Sequence, residues 1–157
     1  MNLLFLLMAF AAGCAISTQS AINGQLAAGI GGNAVGAALV SFAVGTLALL
    51  GAAVLRGNLG AALALLPSQP WWRFAGGFLG AAFIFCTTFL APRIGLLNLL
   101  VLIIAGQLVA SMTIDQFGLI GMAVRRVSAV RLIGALLVLA GVALSLFGER
   151  LVAAIGR

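Results

Sequence analysis

The stretch PRIGLLNLLVLIIAGQLVASMTIDQFG, Pro92 to Gly118, decides the architecture. From Gly95 to Ile114 it runs 20 positions without a charged residue. A bilayer's hydrocarbon core, about 30 Å thick, takes about 20 helical residues to cross. The run therefore reads as one membrane span. Pro92-Arg93-Ile94 bounds it on one side. On the other stands Asp115, one of two acidic residues in the chain.

The same measure, carried along all 157 residues, gives five spans in a single domain, residues 1–157. They fall at about 3–22, 34–55, 72–91, 95–114 and 130–147. The third is expected to stop at Ala91, because Pro92 lacks the N–H that would continue a helix. Only Pro92 to Ile94 then separates the third span from the fourth, which makes them an antiparallel hairpin. Gly29-Ile30-Gly31-Gly32-Asn33 is an uncharged turn. Leu59 to Leu66 is too short to cross and fits the membrane surface. Trp71-Trp72-Arg73 reads as an interfacial anchor, its rings at headgroup level and its guanidinium in water. Small residues recur at four-residue spacing, as in Ala37-Ser41-Gly45, Gly76-Gly80 and Gly141-Ser145, which lets helices approach closely in lipid.

Composition agrees with this reading. The chain is 64% hydrophobic and 6% charged, with a mean hydropathy of +1.31. A soluble domain of this size buries only about two-thirds of its unfolded surface and cannot hide so much apolar area. The net charge of +6 comes from eight Arg set at the ends of apolar runs, where headgroups meet them. They form no dense basic patch, so nucleic acid is not an expected partner. Five Arg (56, 73, 125, 126, 131) lie on the N-terminal side and three (93, 150, 157) on the other. If that small excess decides, the N-terminus is cytoplasmic; if it does not, the near-balance permits insertion in both orientations. Cys14 and Cys86 sit inside apolar runs and read as buried, inert residues. Without His, no Cys/His metal site can form, and neither metal nor cofactor is expected. The chain also lacks Tyr and Lys, and its two carboxylates, Asp115 and Glu149, follow successive spans on opposite faces. No acid/base or nucleophile-base pair can be assembled, so there is no catalytic residue and no enzyme.

Polar groups within hydrocarbon need a partner or a wet cavity. Gln19 and Asn23 are four apart on one face of the first span. They either find water at a helix end or line a cavity. On the fourth span, Gln107, Ser111 and Asp115 follow at i, i+4 and i+8, with Asn98 near its start. Gln107 falls near mid-membrane, where its amide serves a substrate or bonds across to Ser41 or Asn23. Asp115, about 12 Å further along the axis, reaches the interface. It orders the DQFG turn, or partners Arg125 or Arg126, or it is a gate or coupling carboxylate.

QSAINGQLA (Gln19–Ala27), VSFAVGTLAL (Val40–Leu49), WWRFAGGFLGAAF (Trp71–Phe83), GQLVASMTIDQFGLIG (Gly106–Gly121) and RLIGALLVLAGVAL (Arg131–Leu144) together resemble the YdcZ-type family. These are small five-helix bacterial inner-membrane proteins of the drug/metabolite transporter superfamily, found singly, in pairs and as ten-helix fusions. The resemblance implies an all-α membrane protein whose five transmembrane helices are half of a ten-helix inverted-repeat transporter, completed by dimerisation. It implies location in the bacterial inner membrane and export of an unidentified small molecule. The expected partner is a second, oppositely inserted copy or an oppositely oriented paralogue, with membrane lipid around both. Gln19, Asn23, Ser41, Asn98, Gln107 and Ser111 then line the cavity. The alternative is a non-transporting membrane assembly subunit that requires a partner chain.

Overall fold

The computed structural model describes residues 2–155, and side chains for residues 2–153. Arg157, counted above, lies outside the described residues. Those residues form helices and no strand: α1 (Leu3–Gly29), α2 (Ala34–Arg56), a short α3 (Leu59–Ala64), α4 (Ala75–Ile94), α5 (Leu96–Phe117) and α6 (Ala129–Ile155). Tight 3-10 turns cover Leu66–Ser68, Trp71–Phe74 and Leu119–Gly121. Five helices are long and apolar enough to cross a membrane: Leu3–Gly29, Ala34–Arg56, Trp71–Ile94, Leu96–Phe117 and Ala129–Ala153.

Helix ends follow local chemistry. Asn2 Oδ1 accepts from Leu4 N at 3.0 Å and starts α1. The polar segment Ser17–Leu26 stays helical, and α1 stops only at the glycines beyond it. Gly31 and Gly32 have φ of 77° and 80°, and Gly32 N returns to Ala27 O at 2.8 Å, a glycine-dependent stop. Asn33 then caps α2 by accepting from Gly36 N at 2.8 Å. The third span does not stop at Ala91, for Pro92 lies inside α4. Its missing N–H forfeits the bond to the Thr88 carbonyl and its ring crowds that carbonyl, but α4 ends two residues later, so the disturbance is confined to the last turn.

The chain divides into two compact units, residues 1–94 and 95–157. In the first, α1, α2 and α4 pack against one another. Its buried residues are mostly small or polar: Ala27, Ala34, Ala37 and Ala38 with Ile84, and Ser20, Asn23, Thr87 and Thr88. Small side chains bring backbones close where lipid supplies no hydrophobic drive between helices. Gly80 shows this, its Cβ position 3.5 Å from the Phe42 ring. Gly13, Gly76 and Gly141 have open space about them. In the second unit α5 packs on α6, with Leu99 and Ala135 buried. Large apolar side chains such as Phe10, Leu49 and Phe78 point outward, as lipid-facing residues do. Cys14 and Cys86 are exposed among them, contrary to the expectation of burial. Their helices turn those positions away from the seams, which Asn23, Ala37 and Thr87 occupy.

Candidate functional site

Two clefts hold expected site residues, one in each unit. In the first, Gln19 and Asn23 meet a single hydroxyl on the neighbouring helix. Gln19 Nε2 and Asn23 Nδ2 donate to Ser41 Oγ at 3.4 Å and 3.3 Å. Asn23 is only 3% exposed. Its amide could not be left unpaired at that depth, and Ser41 supplies the acceptor. The cluster exists because residues 19 and 23 share a face of α1, while Ala34, Ala37 and Ala38 let α2 come close enough to present Ser41. A cleft of about 370 Å³ opens beside it, lined by Gln19, Ser41, Thr46 and the rings of Phe42 and Phe83. Ser20 takes no part, since its hydroxyl donates to Ile16 O of its own helix.

The second cleft, about 500 Å³, lies between the end of α5 and the start of α6. Ser111, Asp115, Arg125 and Arg131 give it polar groups of both signs, and Leu108, Met112 and Val138 give it apolar walls. Its rim is pinned by backbone. After Gly118 ends α5, the chain turns back so that Arg125 N donates to Asp115 O at 2.7 Å. Val127 N donates to Gln116 Oε1 at 2.7 Å. Ser128 Oγ accepts from Arg131 N at 3.3 Å and starts α6. Asp115 thus holds Arg125 through its main chain. Among the described residues its carboxylate makes no ion pair with Arg125, Arg126 or Arg131.

The remaining expected site residues are dispersed. Gln107 is exposed on α5 and stands outside this cleft, where Leu108 takes the lining position. The slow turn of an i, i+4, i+8 stripe therefore keeps Ser111 and Asp115 together and carries Gln107 off the edge. Asn98 is exposed in the first turn of α5, about 20 Å along the axis from Ser111. Trp71, Trp72 and Arg73 form one tight turn in which the Arg73 guanidinium stacks on the Trp72 ring, 5.4 Å from its centroid, and bonds Gln69 Oε1. Trp71 is 84% exposed. Arg93 lies over the Phe89 ring and donates to the Phe89 carbonyl. It lines a third cleft, about 340 Å³, with Thr88, whose buried hydroxyl has no hydrogen-bond partner among the described residues.

Sequence reasoning missed Arg131 as a lining residue of the second cleft, and Gln116 and Gly118 as the residues that fold the chain back beside it. Arg131 was visible only as a positive charge, and its nearness to Asp115 depends on how the 118–128 segment folds back. The DQFG motif carried the signal for the other two, since a polar residue two positions before a helix-ending glycine is placed to receive the returning chain.

A family model described as "Putative inner membrane exporter, YdcZ" matches residues 4–144. No curated protein and no solved structure matches the chain. With the five spans in hand and the match covering most of its length, this is a multi-pass inner-membrane protein that belongs to the YdcZ exporter family.

Proposed function

We propose that the chain is a secondary exporter of a small molecule, working as an antiparallel homodimer of two oppositely inserted copies with a cavity between subunits. The observation that carries this reading is the odd number of spans, five. An odd-span unit paired with an inverted copy produces two halves of opposite orientation, the arrangement around which secondary transporters build a midplane site. The near-balance of Arg across the two faces supports dual insertion. The Gln19–Asn23–Ser41 cluster supports a polar wall within the membrane, as such groups face cavities or partners and not lipid. In this reading Asn98, Gln107 and Ser111 of α5 complete the lining, and Asp115 at its end gates or couples the cycle. Trp71, Trp72 and Arg73 hold the headgroup boundary.

The test is two-sided topology. A single Cys placed near the C-terminus, in a background lacking Cys14 and Cys86, is labelled with an impermeant thiol reagent from each side. About half of the molecules should label from each face, as a balanced pair requires. Labelling from one face only would sink the homodimer and turn the search to an oppositely oriented partner chain, as the assembly-subunit reading demands.

A further inference from the structure

The α5–α6 cleft has a direction. Asp115 lies in the last turns of α5 and Arg131 in the first turn of α6, so both mark the membrane boundary. Leu108 and Val138 line the same cleft seven residues away from them along each helix, about 10 Å deeper into the hydrocarbon. Between these levels stand Ser111, Gly134 and Ala135. Polarity therefore falls along the bilayer normal, from charged at the rim to fully apolar at depth, on both walls. A water-soluble ligand has no use for that depth, whereas a lipid is built on the same gradient.

The rim is selective as well. Two guanidiniums from Arg125 and Arg131 match a phosphate diester, which Arg recognises by paired N–H bonds. Basic pockets between helices at the membrane surface are recurrent headgroup sites. Asp115 adds a carboxylate to the same cleft, and among the described residues no guanidinium neutralises it. Ser111 Oγ donates to Leu108 O at 3.0 Å, so its proton is spent within the helix and the hydroxyl can serve the cleft only as an acceptor. The volume, about 500 Å³, lies within the usual range for small-molecule pockets, about 300–1,000 Å³.

We propose that the α5–α6 cleft binds a zwitterionic phospholipid headgroup, with the phosphate on Arg125 and Arg131, a primary ammonium on Asp115, and an acyl chain against Leu108 and Val138. The site is made by one subunit and holds whether or not the chain transports.

The shared chemistry, a phosphate diester bearing a primary ammonium, is also offered by the free headgroup in water, so the experiment separates the sources. The purified full-length protein is titrated with dioleoyl phosphatidylethanolamine, phosphatidylglycerol or phosphatidylcholine, and retained lipid is counted by native mass spectrometry. Wild type should retain phosphatidylethanolamine several-fold over the other two. Asp115→Asn should shift that preference to phosphatidylglycerol, because the ammonium loses its partner while the phosphate keeps both Arg. Arg125→Gln with Arg131→Gln should lose both lipids. Helicity and elution volume check folding, and the Asp115→Asn inversion is a readout that misfolding cannot produce. Equal retention of all three lipids by wild type, or a preference that survives both variants, overturns the proposal. Displacement of the lipid by millimolar glycerophosphoethanolamine overturns its lipid part, since a soluble headgroup then suffices.

Discussion

At Gly118 an added Cβ would lie 2.7 Å from Val124 Cγ2 and 3.0 Å from the Met122 carbonyl, on a backbone with φ of 60°. Both the left-handed conformation and the contact with main chain reject a side chain there. Two residues on, Ile120 adopts φ 57° and ψ 27° although it is β-branched, and it is 66% exposed. The two positions predict opposite responses. Gly118→Ala should destabilise the protein by about 1–3 kcal/mol, the cost of such backbone strain together with displacement of the turn. Ile120→Gly should stabilise it by up to about 1 kcal/mol, because the strain relieved exceeds the entropy that glycine adds to the unfolded chain. Thermal unfolding in detergent reads both. A stable Gly118→Ala would mean that the returning segment has room to move away, and the pinned rim would lose its basis.

At the level of elements, the α1–α2 seam turns on one hydroxyl. Ser41→Ala removes the acceptor of both Gln19 and Asn23, and Asn23 is too deep to reach water. The expected loss is about 0.6 kcal/mol, the average for an interhelical bond in a membrane protein, and at most about 1.7 kcal/mol. Ser41→Thr, which keeps an acceptor, should recover most of it in the same unfolding assay. Five spans were legible because length and apolarity alone define them. The shared face of Gln19 and Asn23 was legible too, since helical periodicity fixes it. Their partner was not. Ser41 lies 22 and 18 residues away, and its height beside them depends on where α1 ends. The first span was placed at about residues 3–22; α1 runs on through the polar segment to the glycines after it, seven residues further. Pro92 misled in the same manner, since its disturbance falls in the last turn of α4 and does not end the helix before it. The rim of the second cleft was the least legible part, for it depends on a return of the chain that no periodicity encodes.

Across the whole molecule, the apolar composition is expressed outward. Apart from Ile84 and Leu99, the buried positions go to Ala, Ser, Thr and Asn, while most large apolar side chains are exposed, the reverse of a water-soluble domain. The exposure of Cys14 and Cys86 follows from the same inversion. Replacing both by Ala should change unfolding stability by no more than about 0.5 kcal/mol, as at other exposed positions. A larger loss, measured by thermal unfolding of the double variant, would mean that a second copy covers one of these faces. The Cys-free background needed for the topology experiment should therefore keep its fold.

The helices also differ in length. α1 and α6 each have 27 residues, against 22 in α5. Laid end to end at 1.5 Å per residue these are about 40 Å and 33 Å. A hydrocarbon slab of about 30 Å accepts the shorter helix nearly upright, but the longer ones must tilt, emerge or thicken the surrounding lipid. Acyl-chain length thus becomes a mechanical variable for this protein. A thicker bilayer relaxes α1 and α6 while stretching the fit of α5, so no single thickness satisfies every span, and the mismatch that remains acts on the protein as a lateral tension set by the membrane it occupies.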